Sequence, residues 1–130
     1  MEGTDAAARE LIQRFLTAFE RLDLDTFIDC FAPTATAFFP EPEPSHRHDG
    51  RAAIRDRFAS VFAAIRAEAV SGPPFHRLDP EDMLVQPLSP DTAVVTFLLR
   101  NQHRTARRTL MLSRVDGRLL IAHLHASNRF

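Results

Sequence analysis

Lysine, tryptophan and tyrosine are all missing from this chain, and cysteine occurs once. Without lysine there is neither a Schiff-base amine nor a P-loop cation. Without tyrosine there is no phenol to donate a hydrogen bond to a developing oxyanion. Cys30 cannot close an internal disulfide, and its apolar helical surroundings make it a small buried hydrophobe rather than a reactive thiol. No excess of either charge exists: sixteen basic and seventeen acidic residues leave a formal net charge of -1. That balance carries no electrostatic footprint for nucleic acid or an anionic membrane. No apolar run approaches the roughly 20 residues that span a bilayer. The start is acidic at Glu2 and Asp5 and shows no signal-peptide apolar run, so a cytoplasmic location is expected.

What is present is ordinary globular composition, 45% hydrophobic and 25% charged, which excludes intrinsic disorder. A chain of 130 residues suits one domain, taken as 1–130. Leu11, Ile12, Phe15, Leu16 and Phe19 form a one-sided helical stripe that Thr4 can cap. Asp23 can cap a second, shorter helix carrying Leu24, Phe27, Ile28, Cys30 and Phe31, which Pro33 ends. Thr34–Phe39 reads as a strand. Alternating prolines at 40, 42 and 44 then forbid helix and central strand alike, so a surface loop follows. A third helix starts after Asp49 as its cap and carries Ile54, Phe58, Val61, Phe62 and Ile65. Beyond the break at Gly72-Pro73-Pro74, four strands are expected: Phe75–Leu88, Thr92–Gln102, Arg107–Arg114 and Arg118–Ser127. Pro90-Asp91 and Asp116-Gly117 mark hairpin turns between neighbours. Four meandering strands must bury one face, and three amphipathic helices are the available cover. The predicted fold class is α+β, a curved antiparallel sheet wrapped around three N-terminal helices.

Two segments carry a family resemblance. Phe31-Ala32-Pro33-Thr34-Ala35-Thr36-Ala37-Phe38-Phe39-Pro40-Glu41 is similar to the first strand of the association domain of calcium/calmodulin-dependent protein kinase type II. Asp116-Gly117-Arg118-Leu119-Leu120-Ile121-Ala122-His123-Leu124-His125-Ala126-Ser127 resembles that domain's last hairpin with its His-x-His-x-Ser ending, although Leu119 stands where the kinase domain has tryptophan. Both resemble the wider SnoaL-like, nuclear-transport-factor-two-like superfamily. The resemblance implies a cystatin-like cone with a central pocket between sheet and helices. It leaves activity open, because this fold hosts isomerases, cyclases, dehydratases, hydrolases and noncatalytic association domains.

Residues at the superfamily's functional positions narrow the choice. The steroid-isomerase base and phenol align with Phe39 and Phe15, and phenylalanine can neither take a proton nor donate a strong hydrogen bond. The association domain's pocket arginines, suited to a small carboxylate, align with Thr96, Leu110 and Ala126. Arg100 and Arg108 could restore positive charge nearer the rim, or could be solvated strand ends. The remaining candidate lining is apolar: Phe15, Phe19, Phe39, Phe58 and Leu98, with His48 and His76 at the pocket mouth. Phe38, Phe62 and Phe97 belong to the same aromatic set, whose simplest role is core packing.

His123 and His125 project from one face of the last strand and admit two readings. Leu120, Ala122, Leu124 and Ala126 look like an unbroken apolar face. If that face lines the pocket, the histidines lie on the convex side, where members of this fold meet a partner subunit. If the histidine face lines the pocket, His123 or His125 could act as general acid/base, assisted by His48 or Asp49. The His46/His48 and His123/His125 pairs have i, i+2 spacing that zinc sites use, with His76 or Asp49 as a third ligand, but the resemblance implies no metal. Three functions are therefore carried forward. The first is a homodimer, paired through its sheet, that holds a small apolar or aromatic ligand and needs no cofactor. The second is a cyclase-, isomerase- or dehydratase-type enzyme using a last-strand histidine. The third is an assembly module without ligand.

Overall fold

The computed structural model describes residues 2–40, 46–101 and 104–129. Its helices are α1 (Glu2–Glu20), α2 (Leu24–Asp29) and α3 (Arg51–Glu68). Its strands are β1 (Phe31–Phe38), β2 (His48–Asp49), β3 (Glu81–Ser89), β4 (Thr92–Arg100), β5 (Thr105–Val115) and β6 (Arg118–Arg129). They form one curved sheet in the order β2-β1-β6-β5-β4-β3. This is the expected α+β architecture with two differences. The two-residue β2 is an added strand pairing with β1, and β1 runs parallel to β6 rather than antiparallel. The parallel pair arises because the chain builds α3 and the whole meander before β6 returns to the free edge of β1. The proline-rich segment 41–45 and residues 102–103, including the expected strand end at Gln102, lie outside the described residues.

Local chemistry explains where the elements begin and end. Thr4 is no cap: it lies inside α1, buried, and its hydroxyl donates to the carbonyl of Pro90 at 3.0 Å, tying the helix to the β3–β4 turn. Asp23 does cap α2, accepting from the Thr26 amide at 3.3 Å. Phe31 belongs to β1 rather than to α2, which stops at Asp29 before Pro33 acts. Asp49 does not cap α3 either. It pairs with Thr36 in the β2 ladder and its carboxylate accepts from Arg47. Gly50 occupies the cap position at φ 92°, a conformation few side chains tolerate, and its amide donates to the carbonyl of Ala35 at 2.8 Å.

The expected strand from Phe75 shortens to Glu81–Ser89 because the amides ahead of it are satisfied elsewhere. The Phe75 amide donates to the Glu20 carbonyl and the Leu78 amide to the Glu20 carboxylate, both at 2.7 Å. Segment 75–78 is thereby pinned across the end of α1. At the other end of the meander, Asp116 (φ 49°) and Gly117 (φ 82°) make the expected tight turn between β5 and β6.

The helices bury one stripe each against the concave side of the sheet. Phe27 is fully buried, and its ring lies within 4.4–5.9 Å of the rings of Phe15, Phe19, Phe31, Phe58 and Phe62, joining α1, α2, β1 and α3. Asp29 bridges Arg118 at 3.0 Å and Arg14 at 2.9 Å, and these hydrogen bonds hold its carboxyl below the usual carboxylate range. Cys30 is buried, donates to the Thr26 carbonyl at 3.4 Å, and has its thiol pushed up to about 11 by burial.

Two outcomes follow from this packing. Phe27→Ala, which deletes the ring shared by five others, costs about 3–5 kcal/mol in a denaturant melt. Cys30 stays unreactive toward a thiol-specific disulfide reagent at mildly alkaline pH in the folded protein and reacts fully once guanidinium unfolds it.

Candidate functional site

A cavity of about 510 Å³ opens between the concave sheet and the helices. Its helical wall is Phe15, Leu16 and Phe19 from α1, with Phe58, Val61 and Ile65 from α3. Phe27 forms the floor, and Phe39, His76 and Leu78 border the opening. The sheet wall comes from alternate residues on three strands: Phe97 and Leu99 of β4, Ala106 and Arg108 of β5, and Leu124, Ala126 and Asn128 of β6. Cross-strand register explains this set. Arg108 lies opposite Phe97 on one side and Ala126 on the other, while Ala106 lies opposite Leu99 and Asn128. Directly paired residues point to the same side of a sheet, so these seven share the concave face.

Polarity is concentrated at one end. The last residues of β4, the first of β5 and the last of β6 meet there, because Arg100 pairs with Thr105 and Ala106 with Asn128. Arg100, Asn101, Arg104, Arg108 and Asn128 line the cavity at that end. Arg57 and Arg77 also line it, and Asp79 is the one carboxylate in the lining among the described residues. Asp79 accepts from Arg77 at 3.4 Å, and Arg100 is paired with Glu81 at 2.9 Å. Arg108 has no carboxylate partner among the described residues. Its Nη1 donates to the carbonyls of Arg107 (3.0 Å) and Ser127 (3.3 Å). Burial, with the nearby charge of Arg104 added, pushes its guanidinium down to about 10, so it stays charged at neutral pH while poorly solvated. Beside it, the Oδ1 of Asn128 is buried and meets no hydrogen-bond partner among the described residues.

Of the residues picked out from sequence, Phe15, Phe19, Phe39, Phe58, Arg100, Arg108, Ala126 and His76 line this cavity. Thr96 and Leu98 do not. They pair with the outward residues Thr109 and Arg107, while Phe97 and Leu99 face in. From Val94 to Leu99 apolar residues fall on both faces of the strand, with Thr96 the one polar residue, so no clean alternation marks the inward face. Leu110 lies on the concave side but is wholly buried and outside the lining. His48 stacks on His46 and packs edge-on against Phe39 at 4.8 Å, next to the opening rather than in it.

His123 and His125 lie on the convex face, away from the cavity. A bulge between Ile121 and His123 leaves Ala122 without a partner and reverses the alternation. Ile121, Leu124, Ala126 and Asn128 therefore share the concave face, and Leu120 and Ala122 are out of step with it, so the expected unbroken apolar face is interrupted. His123 and His125 sit opposite Met111 and Thr109, both exposed, and neither lines the cavity. His123 Nδ1 is 2.7 Å from the Thr36 hydroxyl, and burial, then the proximity of His125 and Arg47, lowers its pKa. Among the described residues no three His, Cys, Asp or Glu side chains converge to hold a metal ion, and no helix is long and apolar enough to cross a membrane.

Lining residues absent from the sequence reading include Leu78, Leu99, Ala106 and Asn128. Asn128 is the next inward position after Ala126, and Ala106 the one before Arg108. Alternation extended by one step at each strand end would have found both.

The SnoaL-like domain matches residues 12–120, and the chain belongs to that family. The full chain superposes on an NTF2-like protein of unknown function from Pseudomonas putida with a TM-score of 0.84 at 20% identity, covering 100% of this chain and 89% of that one. An uncharacterised protein with a cystatin-like fold from Caulobacter vibrioides gives 0.76 at 18% identity, covering 100% and 92%. A ketosteroid isomerase-like protein from Erwinia carotovora atroseptica gives 0.73 at 19%, covering 96% and 95%. At these identities the likeness defines the NTF2-like, cystatin-like fold. No functionally curated protein matches the chain in sequence.

A partly buried guanidinium without a counter-charge among the described residues costs stability that the folded chain must supply elsewhere. Arg108→Met is therefore expected to raise the ligand-free stability by about 1–2 kcal/mol in a denaturant melt.

Proposed function

We propose that this SnoaL-like protein is a homodimeric small-molecule-binding protein, with the cavity under the sheet as its ligand site. The observation that carries this reading is an open cavity of about 510 Å³ whose aromatic and aliphatic walls give way to polar side chains where the strand ends meet. Such a volume lies within the usual range for small-ligand pockets, roughly 300–1,000 Å³. Keeping it open leaves Phe15, Phe19, Phe39 and Phe58 without contacts on one side, a cost that ligand binding offsets.

The convex sheet face supports the homodimer. Leu84 and Met111 are 52% and 37% exposed there, with Phe38, Val94, Leu98, His123 and His125 on the same side. A patch of this kind, apolar with a few polar groups, fits a second copy of itself better than water. In this reading the two last-strand histidines are interface groups, and the resemblance to association domains concerns assembly rather than chemistry. The name of the ketosteroid isomerase-like neighbour does not transfer a mechanism, because Phe39 and Phe15 stand where base and phenol would be needed.

The neutral dye Nile red tests the pocket. It should bind at one site per chain with enhanced emission, and Phe39→Asp or Ala126→Phe, each checked for native circular dichroism, should weaken it by about tenfold or more. Unchanged affinity in both folded variants overturns the assignment. Sedimentation should show a dimer that Met111→Glu converts to monomer. A concentration-independent wild-type monomer overturns the dimer.

A further inference from the structure

Resting on that reading of the cavity, we propose that its ligand is a monoanion: an aromatic or aliphatic body bearing one carboxylate, received by Arg108. Three observations converge. First, Arg108 is a partly buried, inward-facing residue of β5, opposite Phe97 and Ala126 and within the cavity lining. Its Nη1 is occupied by two backbone carbonyls, which hold the guanidinium in place. Nε–H and the Nη2 hydrogens then remain without an acceptor among the described residues. Together they form the side-on edge of the fork, whose spacing matches the two oxygens of a carboxylate. Second, the charge that Arg108 feels most is that of another cation, Arg104, and the lining carboxylate Asp79 is engaged by Arg77. A partly buried cation next to a second cation lacks an anion, and no described side chain supplies it. Third, Asn128 lines the same end of the cavity, and its side-chain oxygen is buried and meets no hydrogen-bond partner among the described residues. An amide can turn either end toward a ligand, and with its nitrogen presented it donates to a carboxylate oxygen.

The apolar remainder of the wall sets the rest of the ligand. Phe15, Phe19, Phe58 and Phe97 offer ring faces and no hydrogen-bonding group, so the body beyond the carboxylate is hydrocarbon or arene. One carboxylate also fits the charge better than a phosphate dianion does, since each added charge taken from water into this lining raises the desolvation cost. The site differs from the arginine cluster of the association domains. Those positions hold Thr96, Leu110 and Ala126 here, and the charge comes from the neighbouring inward position of β5.

Three probes with the same arene read the two claims separately: 2-naphthylmethanol, 2-naphthoate and 2-naphthyl phosphate. The chain has neither tryptophan nor tyrosine, so naphthyl fluorescence is followed without protein background. In the wild-type protein at neutral pH, naphthoate should bind about 10- to 100-fold more tightly than the alcohol, and more tightly than the phosphate. Arg108→Met should erase that preference while keeping the alcohol's affinity within about threefold, and Arg108→Lys should restore only part of it. If the alcohol binds as well as naphthoate to the wild type, the carboxylate anchor is wrong and the apolar pocket stands. Tighter binding of the phosphate overturns the monocarboxylate assignment. If none of the three binds, the pocket reading falls and this inference with it. The wild-type comparison decides the matter even if the Arg108 variants do not fold.

Discussion

Strand β6 is hydrogen-bonded along both edges, parallel to β1 and antiparallel to β5, and most of the molecule is organised by that double pairing. The bulge at Ala122 is the point on which it turns. Before it, Ile121 packs inward opposite Leu112 and beside Phe31; after it, Leu124, Ala126 and Asn128 take over the inward face. One extra residue thus lets the strand bend over the helices and sends His123 and His125 to the convex side. A β6 without the bulge would keep strict alternation. Ile121 and Leu124 would then face opposite ways, with either the core or the cavity wall built from the wrong residues.

The cavity exists because two parts of the structure resist collapse into it. On one side, Phe27 and the rings around it lock α1, α2 and α3 together, so the helices cannot settle further onto the sheet without disrupting a packed aromatic cluster. On the other, Glu20 holds segment 75–78 through two short backbone hydrogen bonds, placing His76 and Leu78 at the opening rather than inside it. Small residues complete the arrangement. Ala106 and Ala126 flank Arg108 on the concave sheet, leaving room above the guanidinium that a larger side chain would fill.

Much of this was legible in the sequence wherever a pattern had one interpretation. The helical stripes, the Asp116-Gly117 turn, the Asp23 cap and the order of the elements all followed from spacing and turn chemistry. The phenylalanines of α1 and α3 were legible as cavity lining for the same reason. Failures cluster where the pattern was degenerate. In Val94–Leu99 apolar residues fall on both faces, so nothing corrected the alignment that put Thr96, and with it Leu98, in the wall that Phe97 and Leu99 form. The bulge in β6 leaves no mark in composition, since Ala122 suits either face. Thr4 and Asp49 look like helix caps, and each was instead claimed by a partner distant in sequence, the β3–β4 turn and the β1 ladder. Arg108 illustrates the limit well: its inward parity could be read, but not the absence of a carboxylate near it.

That absence, which holds among the described residues, bears on the chemistry the proposed site would perform. General acid–base chemistry needs a titratable group within reach of the ligand and poised near the working pH. Where the ends of β4, β5 and β6 meet, the polar groups lining the cavity among the described residues are arginine and asparagine. A guanidinium held at about 10 remains a cation at neutral pH, and an amide does not titrate. His76 and Asp79 stand at the opening, the latter engaged by Arg77, and the last-strand histidines face the other way. In the proposed reading, the arginine and asparagine groups attract and orient an anion. A fixed cation beside apolar walls then discriminates between ligands by charge and by length.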